Sequence, residues 1–155
     1  MPGRKASTLW TGLCVLLIVT GPRAVASKRF TRCELAESLA GLGFPRCQLG
    51  DWVCLAENES ALDSSVRGPV NWDGSYDYGI FQINNRYWCY PNASGGCRVP
   101  CQSLLNDDIA DDAQCVRMIF DESQRLKGNG FLAWEAWKSK CQGRDTASYV
   151  KGCGV

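Results

Sequence analysis

Histidine is absent from the 155-residue sequence, and long apolar runs are nearly absent as well. Without histidine, a His-based catalytic triad and a metal centre with imidazole ligands are both excluded. The one clear apolar run, 13–19, is too short to span a bilayer. It lies between a basic start, 4–5, and the small-residue pattern of 24–26, as in a secretory signal peptide. We therefore expect a leader at 1–27 and one soluble, secreted domain at 28–155.

A surplus of positive charge is also missing. Loss of Arg4, Lys5 and Arg23 with the leader leaves 14 basic and 16 acidic residues, a net charge of −2. No cluster of lysine and arginine offsets this balance. Nucleic acid and anionic membrane surfaces are therefore poor partners for the mature chain.

Cysteine, in contrast, is abundant: the chain has ten, of which Cys14 belongs to the expected leader. The nine that remain suit four disulfide bridges and one unpaired thiol, as in many small secreted domains. Spacing alone leaves the pairing open. Zinc held by cysteine alone is disfavoured, because the bridges use these side chains.

Apolar residues recur at helical spacing in four segments, which predicts helices over 32–42, 51–62, 104–126 and 131–140. Asp51 is the expected N-cap of the second helix. Between the helical blocks, Asp73-Gly74 is a hairpin signal, and strand-forming residues continue from it to 84. This order predicts an α+β fold with two lobes and a cleft between them.

Two acidic residues, Glu59 and Asp77, occur in contrasting surroundings. Glu59 continues the apolar face that Trp52 and Ala56 form on the second predicted helix, whereas Asp77 lies among polar residues such as Asn84. A glycosidase needs one carboxyl group protonated and another ionised, so their environments must differ. On spacing alone, two solvated surface acids are the simpler explanation. The residues that frame the pair decide between these interpretations.

Four segments carry a resemblance to a known family: Arg-Cys-Glu-Leu-Ala (32–36), Asp-Trp-Val-Cys-Leu-Ala-Glu-Asn-Glu-Ser (51–60), Asp-Gly-Ser-Tyr-Asp-Tyr-Gly-Ile-Phe-Gln-Ile-Asn (73–84) and Ala-Trp-Glu-Ala-Trp (133–137). Residues 28–155 resemble the chicken-type (c-type) lysozymes, and 57–60 and 86–89 are most similar to arthropod members. The resemblance implies a lysozyme-like α+β domain, mostly helical, with a small antiparallel sheet and four disulfides. It also implies a secreted muramidase that cleaves the bond between N-acetylmuramic acid and N-acetylglucosamine in peptidoglycan, with retention of configuration.

Roles for individual residues come from this resemblance. It makes Glu59 the general acid, with Trp134 as its apolar wall, and Asp77 the nucleophile or stabilising carboxylate. It implies a substrate-binding set of Asn71, Gln82, Asn84, Tyr87, Trp88, Ala133 and Trp134. We expect a monomer without a required cofactor, acting on peptidoglycan and also on chitin oligosaccharides. Antibacterial defence and digestion both remain open, and the net charge of −2 mildly favours digestion.

A non-catalytic carbohydrate-binding or regulatory module like α-lactalbumin is the alternative function. Such relatives typically lose the acid at the position of Glu59, which this chain retains. The resemblance also implies the disulfide pairs Cys33–Cys153, Cys54–Cys141, Cys89–Cys101 and Cys97–Cys115. For Cys47, which is left over, we expect a buried spare thiol, with an intermolecular disulfide as the alternative.

The acidic segment 106–112 resembles the calcium loop of α-lactalbumin and some lysozymes. Calcium is thus a candidate structural ion, bound by oxygen atoms of Ser103, Asn106, Asp108, Asp111 and Asp112. The alternative is an acidic helix N-terminus that the helix dipole favours. The segment 116–130 is longer than usual, and Lys127 stands near a position where many relatives carry a sugar-binding acid. These departures affect the expected range of substrates rather than the chemistry.

Overall fold

Helices dominate the described part of the chain. This computed structural model describes residues 28–91 and 96–155, and the expected leader at 1–27 lies outside them. The helices are α1 (Arg32–Gly41), α2 (Leu49–Ser60), α3 (Ala110–Lys127) and α4 (Glu135–Lys140). The strands are β1 (Asp77–Tyr78), β2 (Ile83–Asn84), β3 (Cys89–Tyr90) and β4 (Val99–Pro100). Short 3₁₀ segments cover Arg46–Gln48, Cys101–Leu105, Gly130–Ala133 and Thr146–Val150. Across these described residues, no helix is both long and apolar enough to cross a membrane.

Helix α2 lies at the centre of the fold, in contact with α1, α4 and the 3₁₀ segment Thr146–Val150. Gly50 permits the last of these contacts, because a Cβ atom there would lie 2.3 Å from the Thr146 carbonyl oxygen. Trp52 on α2 is 1% exposed. Its ring packs against five others, those of Phe44, Phe81, Phe120, Phe131 and Trp134. These aromatic contacts join distant parts of the chain into one core.

The predicted N-cap of α2, Asp51, is wrong. The helix begins at Leu49, directly after the 3₁₀ segment Arg46–Gln48, and no side chain caps it. Asp51 lies in the first turn instead, where its Oδ1 accepts a hydrogen bond from Trp137 Nε1 (2.8 Å). The helix ends at Ser60, because Ala61 takes a left-handed conformation with φ 53°.

The hairpin is shorter than the sequence predicts. Strands β1 and β2 pair in antiparallel fashion, but Ile80 and Phe81, expected in a strand, form the buried turn between them. Asp73-Gly74 is a turn, as expected, but a separate one. It is closed before β1 begins by a hydrogen bond from Asn71 N–H to the Ser75 carbonyl oxygen (2.8 Å). A second pair, β3 with β4, is parallel.

The two later helices also differ from the prediction. The helix predicted over 104–126 begins only at Ala110, because Asn106 has an extended backbone (φ −125°, ψ 179°) after a 3₁₀ segment. The helix predicted over 131–140 is divided at Trp134, whose backbone is extended (φ −108°, ψ 125°) between a 3₁₀ segment and α4. The α+β class, mostly helical with a small antiparallel sheet, is confirmed.

Four disulfides join the pairs that the resemblance implies: Cys33–Cys153, Cys54–Cys141, Cys89–Cys101 and Cys97–Cys115. Bridges of this kind typically stabilise a fold by about 2–4 kcal/mol each, largely by restricting the unfolded chain. Cys47 is free, but it is exposed rather than buried as expected. The reason is local, because no residue of its 3₁₀ segment Arg46–Gln48 is buried.

Candidate active site

A cavity of about 260 Å³ opens between the hairpin and the helical part of the fold. Of the nine residues predicted for catalysis and substrate binding, seven line it: Glu59, Asp77, Gln82, Asn84, Trp88, Ala133 and Trp134. Ile83, Ile119 and Glu135 complete the lining. The cavity therefore joins residues that are up to 76 positions apart in sequence, from the end of α2 to the start of α4.

Glu59 lies near the C-terminal end of α2, on the face that holds Trp52 in the core. Burial raises the pKa of its carboxyl group to about 7. The negative charge of Asp77 adds to this shift, and the charge of Glu135 adds a smaller part. A hydrogen bond from the Ala136 backbone acts in the opposite direction. A carboxyl group of this kind still holds a proton near neutral pH.

Asp77 lines the same cavity with different neighbours. Asn71 Nδ2 donates a hydrogen bond to Asp77 Oδ2 (2.9 Å), and Asn84 Nδ2 donates to Asp77 Oδ1 (2.8 Å). The register of the hairpin supplies one of these donors, because it sets Asn84 directly opposite Asp77. Both amides also donate to the Ser75 hydroxyl oxygen, at 3.1 and 2.9 Å, which fixes their orientation. Two amide donors stabilise negative charge on this carboxylate.

The buried turn at 80–81 holds the walls of the cavity together. Ser60, the residue after Glu59, donates from its hydroxyl group to the Ile80 carbonyl oxygen (2.8 Å). Trp134, which is 6% exposed, donates from Nε1 to the Phe81 carbonyl oxygen (3.1 Å). Helix α2, the hairpin and the junction before α4 are thus fixed to one another by hydrogen bonds worth about 1 kcal/mol each.

Two of the predicted binding residues lie outside the cavity lining. Asn71 acts on the site through its hydrogen bond to Asp77, and Tyr87 is 61% exposed. Gln82 lines the cavity, but its amide nitrogen donates to the carbonyl oxygens of Val66 and Gly79, at 3.1 and 2.8 Å. The amide N–H groups of Gln82 therefore hold the turn of the hairpin and are not available to bind a sugar.

Sequence reasoning missed Ser60, Phe81 and Glu135. Nothing in the local sequence indicates the bond from Ser60 to the hairpin, because its acceptor lies 20 residues further along the chain. Glu135, in contrast, could have been predicted from the sequence as a cavity residue, because it directly follows Trp134 in a segment that carries the resemblance. It brings a third carboxylate to the cavity and forms an ion pair with Lys138 on α4.

A second acidic feature is the loop before α3. Asp112 is 1% exposed, and within the described residues neither of its carboxylate oxygens has a hydrogen-bond partner. Burial raises the pKa of this group well above its ordinary value, and the neighbouring Asp111 adds to the shift. Close packing explains the burial, because a Cβ atom at Gly79 would lie 2.8 Å from Asp112 Oδ1. An orphaned buried carboxylate of this kind fits the needs of a bound cation.

The other candidate calcium ligands are engaged within the loop. Asn106 Nδ2 donates to the Ser103 carbonyl oxygen (2.6 Å), and Asn106 Oδ1 accepts from the Asp108 N–H (2.8 Å). Asp111 Oδ1 accepts from the Asp112 N–H (3.1 Å). Over 28–91 and 96–155, no three acidic, cysteine or histidine side chains are grouped as a metal site would require.

The main cavity by itself defines a class of protein. A half-buried carboxyl group with a raised pKa and a carboxylate bound by two amides share one cleft. This arrangement suits a glycoside hydrolase that works with a pair of carboxyl groups.

Comparison with known proteins identifies the family. A sequence model of the C-type lysozyme/alpha-lactalbumin family matches residues 28–153. The chain is 48% identical over 132 residues to lysozyme c-1 of Anopheles gambiae, which covers 84% of this chain and 89% of that protein. It is 45% identical over 139 residues to the milk isozyme of lysozyme C from Bos taurus, covering 85% and 90%. It is 44% identical over 148 residues to lysozyme C of Nasalis larvatus, covering 91% and 94%.

The chain belongs to the C-type lysozyme/alpha-lactalbumin family, and it is a glycoside hydrolase of the lysozyme type. The predicted resemblance, including the similarity to an arthropod member, is confirmed.

Proposed function

We propose that this protein is a secreted muramidase that hydrolyses the β-1,4 bond between N-acetylmuramic acid and N-acetylglucosamine in bacterial peptidoglycan. The contrast between two carboxyl groups in one cavity carries the proposal. Burial raises the pKa of Glu59 to about 7, whereas amide donors surround Asp77. Glu59 can therefore donate a proton, and the amide donors around Asp77 suit a carboxylate that faces a developing positive charge.

The reaction proceeds in two displacements at one carbon atom. In the first, Glu59 protonates the glycosidic oxygen as its bond to the anomeric carbon breaks, and an Asp77 carboxylate oxygen bonds to that carbon. In the second, the Glu59 carboxylate takes a proton from water as the water oxygen bonds to the same carbon and the bond to Asp77 breaks. Both carboxyl groups return to their starting states. Two inversions at one centre give net retention.

Other residues of the cavity support these two steps. Trp134 lines the cavity together with Glu59 and adds apolar surface to it, and an apolar surrounding favours the protonated form of a carboxyl group. Trp88 offers an aromatic face to a sugar ring, and the backbone at Ala133 offers polar groups. The Asn84 amide already donates to Asp77 and Ser75. We therefore assign Asn84 to the orientation of Asp77 rather than to direct sugar binding.

A non-catalytic module like α-lactalbumin is the second candidate function. A binding module needs no proton donor in its cleft, and burial of an ionisable carboxyl group costs free energy. The retained Glu59, with its pKa raised to about 7, therefore favours the enzyme.

The substitution Glu59→Gln tests the proposal, because it removes the transferable proton with little change in size. We expect the rate of peptidoglycan lysis to fall about 100- to 10,000-fold, with an unchanged circular dichroism spectrum. Glu57→Gln is the matched control, since Glu57 lies on the same helix but pairs with Arg32 (2.5 Å) outside the cavity. The control should keep nearly full activity. Lysis by Glu59→Gln at a rate close to that of the wild type would contradict the proposal.

We also propose that the mature chain is a monomer, acts on chitin oligosaccharides as well as peptidoglycan, and serves digestion. With a net charge of −2, the mature chain has no overall electrostatic attraction to anionic cell walls. Lysis should therefore depend little on salt concentration. A rate that rises steeply as salt is removed would instead indicate electrostatic attraction to the wall and favour a defensive role.

A structural calcium ion in the loop before α3 is a further part of the proposal. The residues that would hold it are Ser103, Asn106, Asp108, Asp111 and Asp112. The orphaned carboxylate of Asp112 supports it, although Asn106 must turn away from Ser103, which weakens the expected affinity. Calorimetry and melting curves of the chelator-treated protein test this proposal. We expect calcium to raise the melting temperature of the wild type but not of Asp112→Asn, and the absence of both heat and shift would refute it.

A further inference from the structure

Trp72 is 98% exposed, more than any other large apolar side chain in the described residues. It lies in the turn at 71–75, where glycine, asparagine, aspartate and serine are the usual residues. Single exposed apolar residues are common on protein surfaces. The surroundings of Trp72 therefore decide whether its exposure has a use.

The turn that carries Trp72 is rigid. Asn71 N–H donates to the Ser75 carbonyl oxygen (2.8 Å), and Gly74, at φ 82°, donates back to the Asn71 carbonyl oxygen (2.9 Å). Asp73 Oδ1 accepts from the Ser75 backbone N–H and hydroxyl group, at 3.0 and 2.6 Å. Because the turn is ordered in advance, a ligand that stacks on the indole ring need not order the backbone.

A polar recess of about 230 Å³ opens on the same turn, beginning at the residue that follows Trp72 in sequence. It is lined by residues 73–75 of the same turn and by Asn85 and Arg86. Arg86 Nη1 donates to Asp73 Oδ2 (2.7 Å), and half of the Arg86 side chain remains exposed. Hydrogen bonds from Ser75, with a further contribution from Arg86, lower the pKa of Asp73 to about 2, so this ion pair persists in acid. An aromatic face next to fixed donors and acceptors is the usual composition of a sugar-binding surface.

The same turn is continuous with the catalytic cavity. Asn71, next to Trp72, donates its amide N–H to Asp77 Oδ2 (2.9 Å), and the Ser75 hydroxyl oxygen accepts from Asn84 (2.9 Å). The cavity itself, about 260 Å³, is small for a binding site. A glycan polymer that enters it must therefore continue over the surface outside.

We propose that Trp72 and the polar recess on the same turn form an accessory surface that binds a peptidoglycan glycan strand outside the catalytic cavity. The proposal rests on the proposed function, because its occupant is the polymer that the active site cleaves. The flat indole face stacks on the C–H face of a hexosamine ring, while the recess binds hydroxyl or N-acetyl groups. A membrane is a poorer occupant, since the one arginine of the recess is already paired with Asp73.

Sedimentation with insoluble peptidoglycan sacculi tests the surface. The measurements are made on Glu59→Gln protein, so that the polymer is not consumed. Adding Trp72→Ala should weaken binding about tenfold, because binding then no longer buries one face of an indole ring. Trp72→Tyr, which keeps a flat ring, should restore most of the binding. Trp72→Leu, which keeps apolar area without the ring, should not.

Leu126→Ala is the matched control, because Leu126 is an exposed apolar residue (61%) outside both cavities. It should bind the sacculi as the Glu59→Gln parent does. Unchanged binding by Trp72→Ala, or full binding by Trp72→Leu, would overturn the proposal. Hydrolysis of a short soluble peptidoglycan fragment by the wild-type protein, in which Glu59 is intact, is measured in parallel. If that activity is present, a negative sedimentation result refutes the accessory surface alone, whereas its absence refutes the proposed function.

Discussion

Glu59 and Asp77 line one cavity, but the protein surrounds them in opposite ways. The helical side places Glu59 at the end of an apolar face, where burial is the main influence on its pKa. The hairpin side surrounds Asp77 with Asn71 and Asn84, whose amides point their N–H groups at its two oxygens. The difference arises from two kinds of sequence pattern, helical periodicity on one wall and a polar turn with strand register on the other.

The contrast shows how two identical functional groups acquire different roles. Desolvation favours the neutral form of a carboxyl group, and hydrogen-bond donors favour the ionised form. Neither effect requires an unusual residue near the site. The remaining requirement is that both walls stay in place, which the buried bonds from Ser60 and Trp134 to the turn at 80–81 provide.

After Glu59→Gln, the largest effect on activity is expected from removal of the charge on the hairpin side. Asp77→Asn leaves an amide where the developing positive charge of the sugar needs a carboxylate. We expect kcat for peptidoglycan or soluble oligosaccharides to fall about 100- to 1,000-fold, as measured by steady-state kinetics. Asp63→Asn is the control, since Asp63 pairs with Arg29 away from the cavity. A variant at Asp77 that retained a tenth or more of the activity would show that its charge is not needed.

A smaller effect is expected on the free energy of unfolding, and its sign should differ between substitutions on the two walls of the cavity. The pKa of Glu59 rises from an ordinary 4.5 to about 7 on folding. Its contribution to stability is therefore fully present below pH 4.5 and is lost as the pH rises through 7. Glu59→Gln should accordingly stabilise the protein by about 3 kcal/mol at pH 8 and by almost nothing at pH 4. Chemical denaturation of both proteins at the two pH values measures this difference.

Asp77→Asn should have the opposite sign in the same experiment. Its new amide group presents N–H donors to the N–H donors of Asn71 and Asn84, so hydrogen bonds are lost. We expect a destabilisation of about 1 kcal/mol at pH 8. Equal effects of the two substitutions would mean that the walls do not differ as the geometry indicates.

The two walls also differ in how far they could be predicted from sequence. The apolar face of α2 follows from its periodicity, and this pattern alone puts Glu59 on the buried side of the helix. The start of the same helix could not be predicted from the sequence pattern, because a 3₁₀ segment leads directly into the helix. Asp51 accepts a hydrogen bond from Trp137 instead of capping the helix N-terminus. Local patterns thus predict which face is buried more reliably than where a helix begins.

On the hairpin side, the polar neighbours of Asp77 could be predicted, but the turn could not. Ile80 and Phe81 have the composition of a strand, yet they occupy a buried turn. They are held there by Ser60 and Trp134, which lie 20 and 53 residues away in sequence. Tertiary contacts of this range override local β-propensity, and no pattern within the segment reveals them.

The smallest effect concerns the third carboxylate of the cavity, Glu135. Its negative charge raises the pKa of Glu59, in addition to burial and the charge of Asp77. Glu135→Gln should therefore lower the pKa of Glu59. It also leaves Lys138 without its ion-pair partner, and the positive charge of Lys138 lowers the pKa of Glu59 further. Because the acid must be protonated to react, the alkaline limb of the profile of kcat/KM against pH should move to lower pH. The exposed position of Glu135 limits the shift to a few tenths of a unit.

Ionic strength distinguishes this electrostatic effect from a change in packing. The shift caused by Glu135→Gln should shrink as salt is added, because ions screen exposed charges. Glu122→Gln, an equally conservative change on the exposed side of α3 outside the cavity, should leave the limb in place. A shift toward higher pH, or an equal shift in both variants, would remove Glu135 from the electrostatics of the site. A salt-dependent shift in Glu135→Gln alone would show that the charge of Glu135, in addition to burial, raises the pKa of Glu59.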